Sequence, residues 1–546
     1  MSESIASIQL AIAQINCTVG DMAGNSAKIL ASARQAAESG ASLLITPELG
    51  LCGYPPEDLL LRDDFLVACE IELEKLAVAL PDITVLVGHP HKKNGHCYNA
   101  ASVLQGGKIT ATYHKHILPN HTVFDEVRYF STGHQALVFE HQGVQFGVLI
   151  CADVWETSPA RLAKQAGAEA LLVMNASPYH MDKQASRHEV VASRVAETGM
   201  PVVYANLVGG QDELVFDGGS FVLDRDGVLV QQLPAFEEAF ALVELDTNAK
   251  NRVNPQPAKI VPELSIEASV YQALIVGLRD YIHKNGFPSV VLGLSGGIDS
   301  ALTLAIAVDA LGAEKVRAVM MPSEFTADIS ITDAAQMAQG LAVEYSELPI
   351  KPLFDGFRAS LADEFAGLPF DTAEENLQAR IRGMLLMALS NKFGSIVLTT
   401  GNKSEMAVGY STLYGDMAGG FSLLKDVPKT LVYRLAKYRN NISAVIPERI
   451  IWRAPTAELR DGQTDQDSLP PYEVLDAIME AYVEHDISHA DIVALGYRLQ
   501  DVIRVTTLID RNEYKRRQAP VGVRITQRGF GKDRRHPITS KFVFND

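Results

Sequence analysis

An apolar run that passes through a turn of small residues straight into a helix leaves a chain few ways to fold, and residues 290–307, VVLGLSGGIDSALTLAIA, form such a run. Residues 289–294 have the unbroken apolar character of a buried strand, and 301–311 have helical spacing, with Asp299 and Ser300 in the first turn. A strand, glycine turn and helix in immediate succession open a doubly wound α/β sheet, which takes ligands at the carboxyl ends of its strands. The glycines let backbone amides approach an anion, and the helix N-terminus adds partial positive charge. Without the lysine of GxxxxGK[ST], this is a different kind of phosphate loop. Residues 266–285 read as an amphipathic helix, and 316–321 and 396–400 as further buried strands.

The first half is also α/β. Short β-rich runs at 8–15, 43–46, 84–87, 144–150, 170–173 and 202–204 alternate with Ala-rich helical stretches such as 26–39 and 159–166. Residues 220–223 and 228–231, joined through Asp226-Gly227, read as a hairpin. Between 247 and 264 the string NPQPAKIVPEL has three prolines and neither helical nor strand period, which suits a linker. The expected domains are therefore 1–246 and 265–546, separated by 247–264.

Composition removes several function classes. Of the 546 residues, 48 are Lys or Arg and 66 are Asp or Glu, and the net charge of -18 repels phosphate backbones and anionic lipid. No nucleic-acid or membrane partner is expected. No stretch is long and apolar enough to span a bilayer, residues 1–9 lack the order of a secretory signal, and the chain reads as cytoplasmic. The five cysteines, Cys17, Cys52, Cys69, Cys97 and Cys151, have no CxxC spacing, which argues against a disulfide framework or zinc cluster. Eight histidines fall between His89 and His141 without carboxylate or thiol at ligand spacing, and they read as solvated loop residues.

Cys151 ends the run GVQFGVLIC, where a buried strand opens into a loop and can present a thiol. Glu48 and Lys115 also sit just past apolar runs. A nucleophilic thiol needs a base for its proton and a cation for the developing oxyanion, roles that a carboxylate and a lysine fill. With PELGLCGYPPEDLLLR, LPNHTVFDEVRYF, NASPYHMDKQASRHE and GGQDELVFDGGSFVLD, this half resembles the nitrilase, or carbon-nitrogen hydrolase, superfamily, and in particular the glutaminase domain of glutamine-dependent NAD synthetases. The resemblance implies Glu48 as general base, Lys115 at the oxyanion and Cys151 as nucleophile on the carboxamide of glutamine. Glu126 is implied either as an assisting carboxylate or as a structural partner of Lys115. His121, Ser177, Lys183 and Arg187 match positions that hold glutamine. Where this chain has His121 the family often has tyrosine, and where it has Ala152 an acidic residue is common.

SGGIDS resembles the pyrophosphate loop of the N-type ATP pyrophosphatases, and IVLTTGNKSEMAVGYSTLYGDMAGG, GDMAGGFSLLKDVPKT and NLQARIRGM are similar to the NAD synthetase branch of that family. By that resemblance Gly293, Leu294, Ser295, Gly296, Gly297, Asp299, Ser300, Met321 and Thr400 bind ATP, and Asn376, Glu405 and Lys515 lie at a deamido-NAD site. Asp299 and Glu405 offer two carboxylates for Mg2+, a cation that prefers oxygen ligands. From Arg511 to Lys541 ten basic residues face two acidic ones, but stacking aromatics are not interleaved among them. A site for an anionic dinucleotide and ATP accounts for them better than nucleic acid does.

The resemblance covers nearly the whole chain. It implies a four-layer α-β-β-α nitrilase-like sandwich followed by a doubly wound parallel α/β domain, and a homo-oligomer of at least two chains. The implied reaction takes deamido-NAD, ATP, L-glutamine and water to NAD, AMP, diphosphate and glutamate.

Overall fold

In the strand Ser7–Gln14, Leu10 and Ile12 point one way and Ala11 and Ala13 the other, and all four are fully buried. A strand dry on both faces must lie between two layers. Leu10 and Ile12 join a core with Val148, Ile150, Leu172 and Val203 from a second sheet. Ala11 and Ala13 join Ile29, Ala33, Leu66 and Leu73 from the helices Met22–Glu38 and Asp63–Ala79.

The computed structural model describes residues 7–248, 252–467 and 469–540, and it divides into two compact units, Met1–Leu264 and Ser265–Asp546. Residues 249–251 of the expected linker, Lys541, and the first six residues of the stretch read for a signal lie outside the described residues. Among the described residues, no helix is long and apolar enough to cross a membrane.

The first unit is a four-layer sandwich. One sheet runs in the order Arg252–Pro255, Ala239–Asn248, Ser7–Gln14, Leu43–Ile45, Thr84–Lys93, His96–Gln105, Lys108–His114. The facing sheet runs Leu229–Gln232, Phe221–Leu223, Val202–Asn206, Ala170–Asn175, Val144–Ile150, Val138–His141. Its three central strands are parallel and the expected hairpin closes one edge. The outer helix Lys183–Thr198 contributes Val191 and Val195 to the core of this sheet.

Two readings are corrected here. Arg252–Pro255, within the stretch read as lacking strand period, pairs antiparallel with Ala239–Asn248. Pro255 is tolerated because it ends an edge strand, where its missing N–H breaks no ladder. The histidines are not all in solvated loops: His89, His116 and His141 are buried, and His89 Nε2 bonds Ser102 Oγ at 2.7 Å while burial lowers its pKa to about 4 and keeps it neutral.

The second unit is built on a parallel sheet in the order Glu344–Glu347, Val316–Met320, Val290–Gly293, Ile396–Thr399, Phe421–Ser422. Chain direction across the sheet reverses between Val290–Gly293 and Ile396–Thr399, so the loops leaving these neighbouring strands part and open a crevice. The helix after the first of them begins at Ile298, inside the SGGIDS string.

Gly88, in the strand Thr84–Lys93, lies against the loop that follows Leu43–Ile45. A Cβ there would stand 2.4 Å from Leu49 N and 2.7 Å from Pro47 O. Gly88→Ala is expected to destabilise the first unit by about 1–3 kcal/mol through overpacking. Urea unfolding followed by circular dichroism checks this, and an unchanged midpoint would contradict the close approach.

Candidate active sites

Three strand ends meet in the first unit. Glu48 follows Leu43–Ile45, Lys115 follows Lys108–His114 and Cys151 follows Val144–Ile150. All three side chains are buried. Lys115 Nζ donates to Glu48 Oε1 at 2.6 Å and to Glu126 Oε1 at 2.8 Å. Glu48 also accepts from Asn99 Nδ2 at 2.7 Å and from the Ala176 amide at 2.9 Å, so both its oxygens are held. Glu126 Oε1 accepts from Tyr54 OH at 2.9 Å, while its Oε2 is buried without a hydrogen-bond partner. Cys151 has φ 44, a left-handed conformation that turns the chain sharply where the strand ends.

The charges here do not balance: two carboxylates share one ammonium in a dry site. Burial, then the charge of Glu48, raise the Glu126 carboxyl to about 7 against the pull of Lys115. Burial opposes the charge on Lys115, but Glu126 and Glu48 together outweigh it and hold the ammonium protonated. Burial and the Glu48 charge raise the Cys151 thiol, which lies within hydrogen-bonding reach of Glu48. The resting thiol is thus neutral, with a base beside it and a cation in place.

Of the other expected residues in this unit, Ser177 is buried near the site, Lys183 Nζ lies 4.0 Å over the Trp155 ring, and His121 is exposed and packs edge-on against Phe124. Arg187 departs from its expected role. Its Nε donates to Ser177 Oγ at 3.2 Å, one terminal nitrogen to Gln184 Oε1 at 2.9 Å and Asp217 Oδ2 at 2.7 Å, and the other to Asp217 Oδ1 and Ser177 O at 2.8 Å. All five guanidinium N–H donors are consumed. Arg187 therefore holds Ser177 in place and has no donor left for a substrate carboxylate.

In the second unit, Gly293, Leu294, Ser295, Gly296, Gly297, Asp299, Ser300, Met321, Thr400 and Glu405 line one cavity of about 290 Å³. Gly296 has φ 79, and a Cβ on it would meet Ser330 O at 2.5 Å, so only glycine fits this turn. Asn376 and Lys515 do not line this cavity. Asn376 Oδ1 accepts from Thr412 Oγ1 at 2.7 Å, and Lys515 Nζ donates to the carbonyls of Gly409 and Ser411 at 2.8 and 2.9 Å.

Sequence reasoning missed Lys429. Its buried Nζ lies 2.5 Å from Asp299 Oδ2 and 3.4 Å from Glu405 Oε1, and Asn402 Nδ2 donates to Asp299 Oδ1 at 2.9 Å. Burial, followed by the charges of Asp299 and Asp465, raises Glu405 to about 8 despite Lys429. The site carries an excess of carboxylate, and its hard oxygen donors fit a divalent cation such as Mg2+. Asp476 fixes the lysine: it accepts from Ser404 Oγ, from the Thr430 amide at 2.9 Å and from Thr430 Oγ1 at 2.8 Å. Arg382, also missed, lines the cavity and donates from Nε to Met321 O at 3.0 Å, with burial lowering it to about 10.

Five arginines of the basic C-terminal run have carboxylate partners. Arg516, Arg517 and Arg534 pair with Glu513, Arg524 with Asp533 and Arg528 with Asp486. These pairs fasten the C-terminal segment, and because the one carboxylate of Glu513 serves three guanidinium groups the run keeps a net positive charge.

Comparison with known proteins gives a consistent result. The carbon-nitrogen hydrolase family profile matches residues 4–252 and the NAD synthase profile residues 270–519. The glutamine-dependent NAD(+) synthetase of Acinetobacter baylyi is 48% identical over 98% of this chain and 98% of its own. That of Aquifex aeolicus is 44% identical over 98% of this chain and 100% of its own. The structure of glutamine-dependent NAD+ synthetase from Acinetobacter baumannii in complex with ADP superposes with a TM-score of 0.80 at 46% identity, covering 99% of this chain and 100% of that one. The glutamine-dependent NAD(+) synthetase from Cytophaga hutchinsonii, at 21% identity and TM-score 0.85 over 98% of each chain, shares the fold.

The raised carboxyl of Glu126 sets a pH dependence. Its folded value of about 7 exceeds its ordinary 4.5, so the stability it contributes is full below 4.5 and is lost as pH rises through 7. Relative to Glu126→Gln, the wild-type first unit should lose stability across that window, as measured by urea unfolding at stepped pH. Identical pH slopes would contradict the assignment.

Proposed function

The chain belongs to the glutamine-dependent NAD(+) synthetases, and from that premise we propose which of its residues make ammonia and which spend it. In the first unit Glu48 takes the proton of Cys151 as Sγ attacks the carboxamide carbon of glutamine. Lys115 Nζ stabilises the oxyanion, where a fixed buried donor is worth far more than in water. Ammonia leaves with the proton returned from Glu48, and water, deprotonated by the same carboxylate, opens the thioester to glutamate. Glu126, whose Oε1 touches Lys115, keeps the ammonium aimed. Ser177, braced by Arg187, together with Lys183 and His121, holds the amino-acid end of glutamine. The observation that carries the reading is the convergence of Glu48, Lys115 and Cys151, from three separate strand ends, in one dry site.

In the second unit the nicotinate carboxylate of deamido-NAD attacks the α-phosphorus of ATP and diphosphate leaves. Ammonia then attacks the acyl-adenylate, giving NAD and AMP. A carboxylate alone is too poor an acceptor for this amination, which is why ATP is required. Amides of residues 295–300 and Lys429 hold the triphosphate, Met321 and Thr400 the adenosine end, and Asn376, Glu405 and Lys515 the dinucleotide. Asp299 and Glu405 would hold Mg2+, which supplies charge neutralisation on the phosphates. The assembly is a homo-oligomer of at least two chains in the cytoplasm, a state that light scattering of the purified protein checks.

Purified protein incubated with deamido-NAD, ATP and magnesium should form NAD and AMP with either glutamine or ammonia, followed by chromatography. Cys151→Ala should lower glutamine-driven synthesis by about a thousandfold or more and retain ammonia-driven synthesis. Asp299→Ala should abolish both. Glutamine-driven activity in Cys151→Ala would overturn the nucleophile, and NAD in neither wild-type tube would overturn the synthetase reading.

A further inference from the structure

Asp153 lies two residues beyond Cys151 and is fully buried. Its Oδ1 accepts from the backbone amides of His116 at 3.0 Å and Ile117 at 2.8 Å. Its Oδ2 accepts from the Ile150 amide at 3.0 Å and from Tyr113 OH at 2.7 Å. Three of these donors bracket Lys115 along the chain and the fourth immediately precedes Cys151. One carboxylate thus joins the strand end that carries the cation to the strand end that carries the nucleophile.

We infer that Asp153 is a positioning residue of the glutaminase centre, which sets the placement of Lys115 Nζ relative to Cys151 Sγ without touching glutamine. The inference rests on the reading of the first unit as the glutamine-hydrolysing half. Burying a carboxylate is costly unless its lone pairs are satisfied, and here each oxygen receives two donors drawn only from these two strand ends. The geometry on either side needs such a clamp. Cys151 is held at positive φ, and Lys115 is balanced between two carboxylates that could draw its ammonium away from the thiol. Asparagine has the same shape but a single acceptor oxygen, and its NH2 would face two of the present donors. Asp153→Asn therefore opens one side of the clamp without changing side-chain volume.

The test is the pH dependence of Cys151 alkylation by iodoacetamide, read by peptide mass spectrometry on the full chain. Wild type is compared with Asp153→Asn, Lys115→Met and the double variant. The charged and titratable groups facing Cys151 are Glu48, Lys115, Glu126, Tyr54, Arg187 and Tyr204. Removing the negative charge of Asp153 would, by Coulomb interaction alone, lower the alkylation midpoint. Misplacing Lys115 raises it. The expected result for Asp153→Asn is an upward shift of about one pH unit, a tenfold loss of thiolate at fixed pH. With it comes a fall of about tenfold or more in kcat for glutamine with KM little changed. In the Lys115→Met background the upward shift should vanish, leaving at most the downward Coulomb shift from the lost Asp153 charge.

A downward shift or no shift in the wild-type background, or an equal upward shift in both backgrounds, would overturn the inference. Should Asp153→Asn not fold, Tyr113→Phe removes one donor and should move the midpoint upward by a smaller amount; an unmoved midpoint overturns the inference equally. If the wild type hydrolyses no glutamine, the functional reading fails, while the alkylation midpoints still decide what Asp153 does.

Discussion

A buried ammonium held between two carboxylates is the interaction on which both halves of this molecule depend. Lys115 lies between Glu48 and Glu126, and Lys429 between Asp299 and Glu405. Removing one partner from such a group typically costs about 3–5 kcal/mol, because it strands a charge in a poorly solvated interior. In each case two carboxyls share one ammonium, and one of them responds by holding its proton to higher pH, Glu126 to about 7 and Glu405 to about 8. In the first site Glu48 then lies beside a neutral thiol. In the second a carboxyl that can shed its proton as positive charge arrives leaves room for a cation.

Folding assembles these groups from distant parts of the chain. Lys115 and Glu48 are 67 residues apart, Asn402 and Asp299 are 103 apart, and Lys429 and Asp299 are 130 apart. In the first unit Glu48 and Cys151 stand at the ends of strands that are dry on both faces, while Lys115 follows the edge strand Lys108–His114, in which Tyr113 is the buried residue. In the second unit the reacting side chains stand on the loops that leave Val290–Gly293 and Ile396–Thr399, where a doubly wound sheet opens its crevice. Close backbone approaches at Gly88 and Gly296 set those loops to within ångströms, since a single added carbon would collide with main-chain atoms.

Much of this could be read from local pattern. Strand ends carry Glu48 and Cys151, and the small-residue string before Asp299 announces its own turn; such signals are contiguous in the chain. The residues that escaped reading act at long range. Lys429 lies within DVPKT and opens the helix Lys429–Ile442, and nothing local to that string indicates that it faces Asp299. Asp153 gave one signal that could have been used, an acidic residue three positions past a largely apolar strand, where a buried carboxylate must find donors. Neither a matched position at Arg187 nor a count of charges from 516 to 534 shows the carboxylates that Asp217, Glu513 and Asp533 bring to these arginines in the fold. Arg252–Pro255 escaped because an edge strand of four residues needs no hydrophobic alternation.

In the proposed function the two sites form a chemical sequence, with nitrogen leaving glutamine at Cys151 and entering an activated carboxylate beside Asp299 and Lys429. The most direct measurement follows that nitrogen. Glutamine carrying a heavy amide nitrogen is supplied with deamido-NAD, ATP and magnesium in ammonia-free buffer, and the carboxamide of the product is analysed by mass spectrometry. The account predicts NAD with one heavy nitrogen, formed in equal amount with AMP. Unlabelled NAD, or labelled ammonia accumulating with no NAD formed, would contradict it.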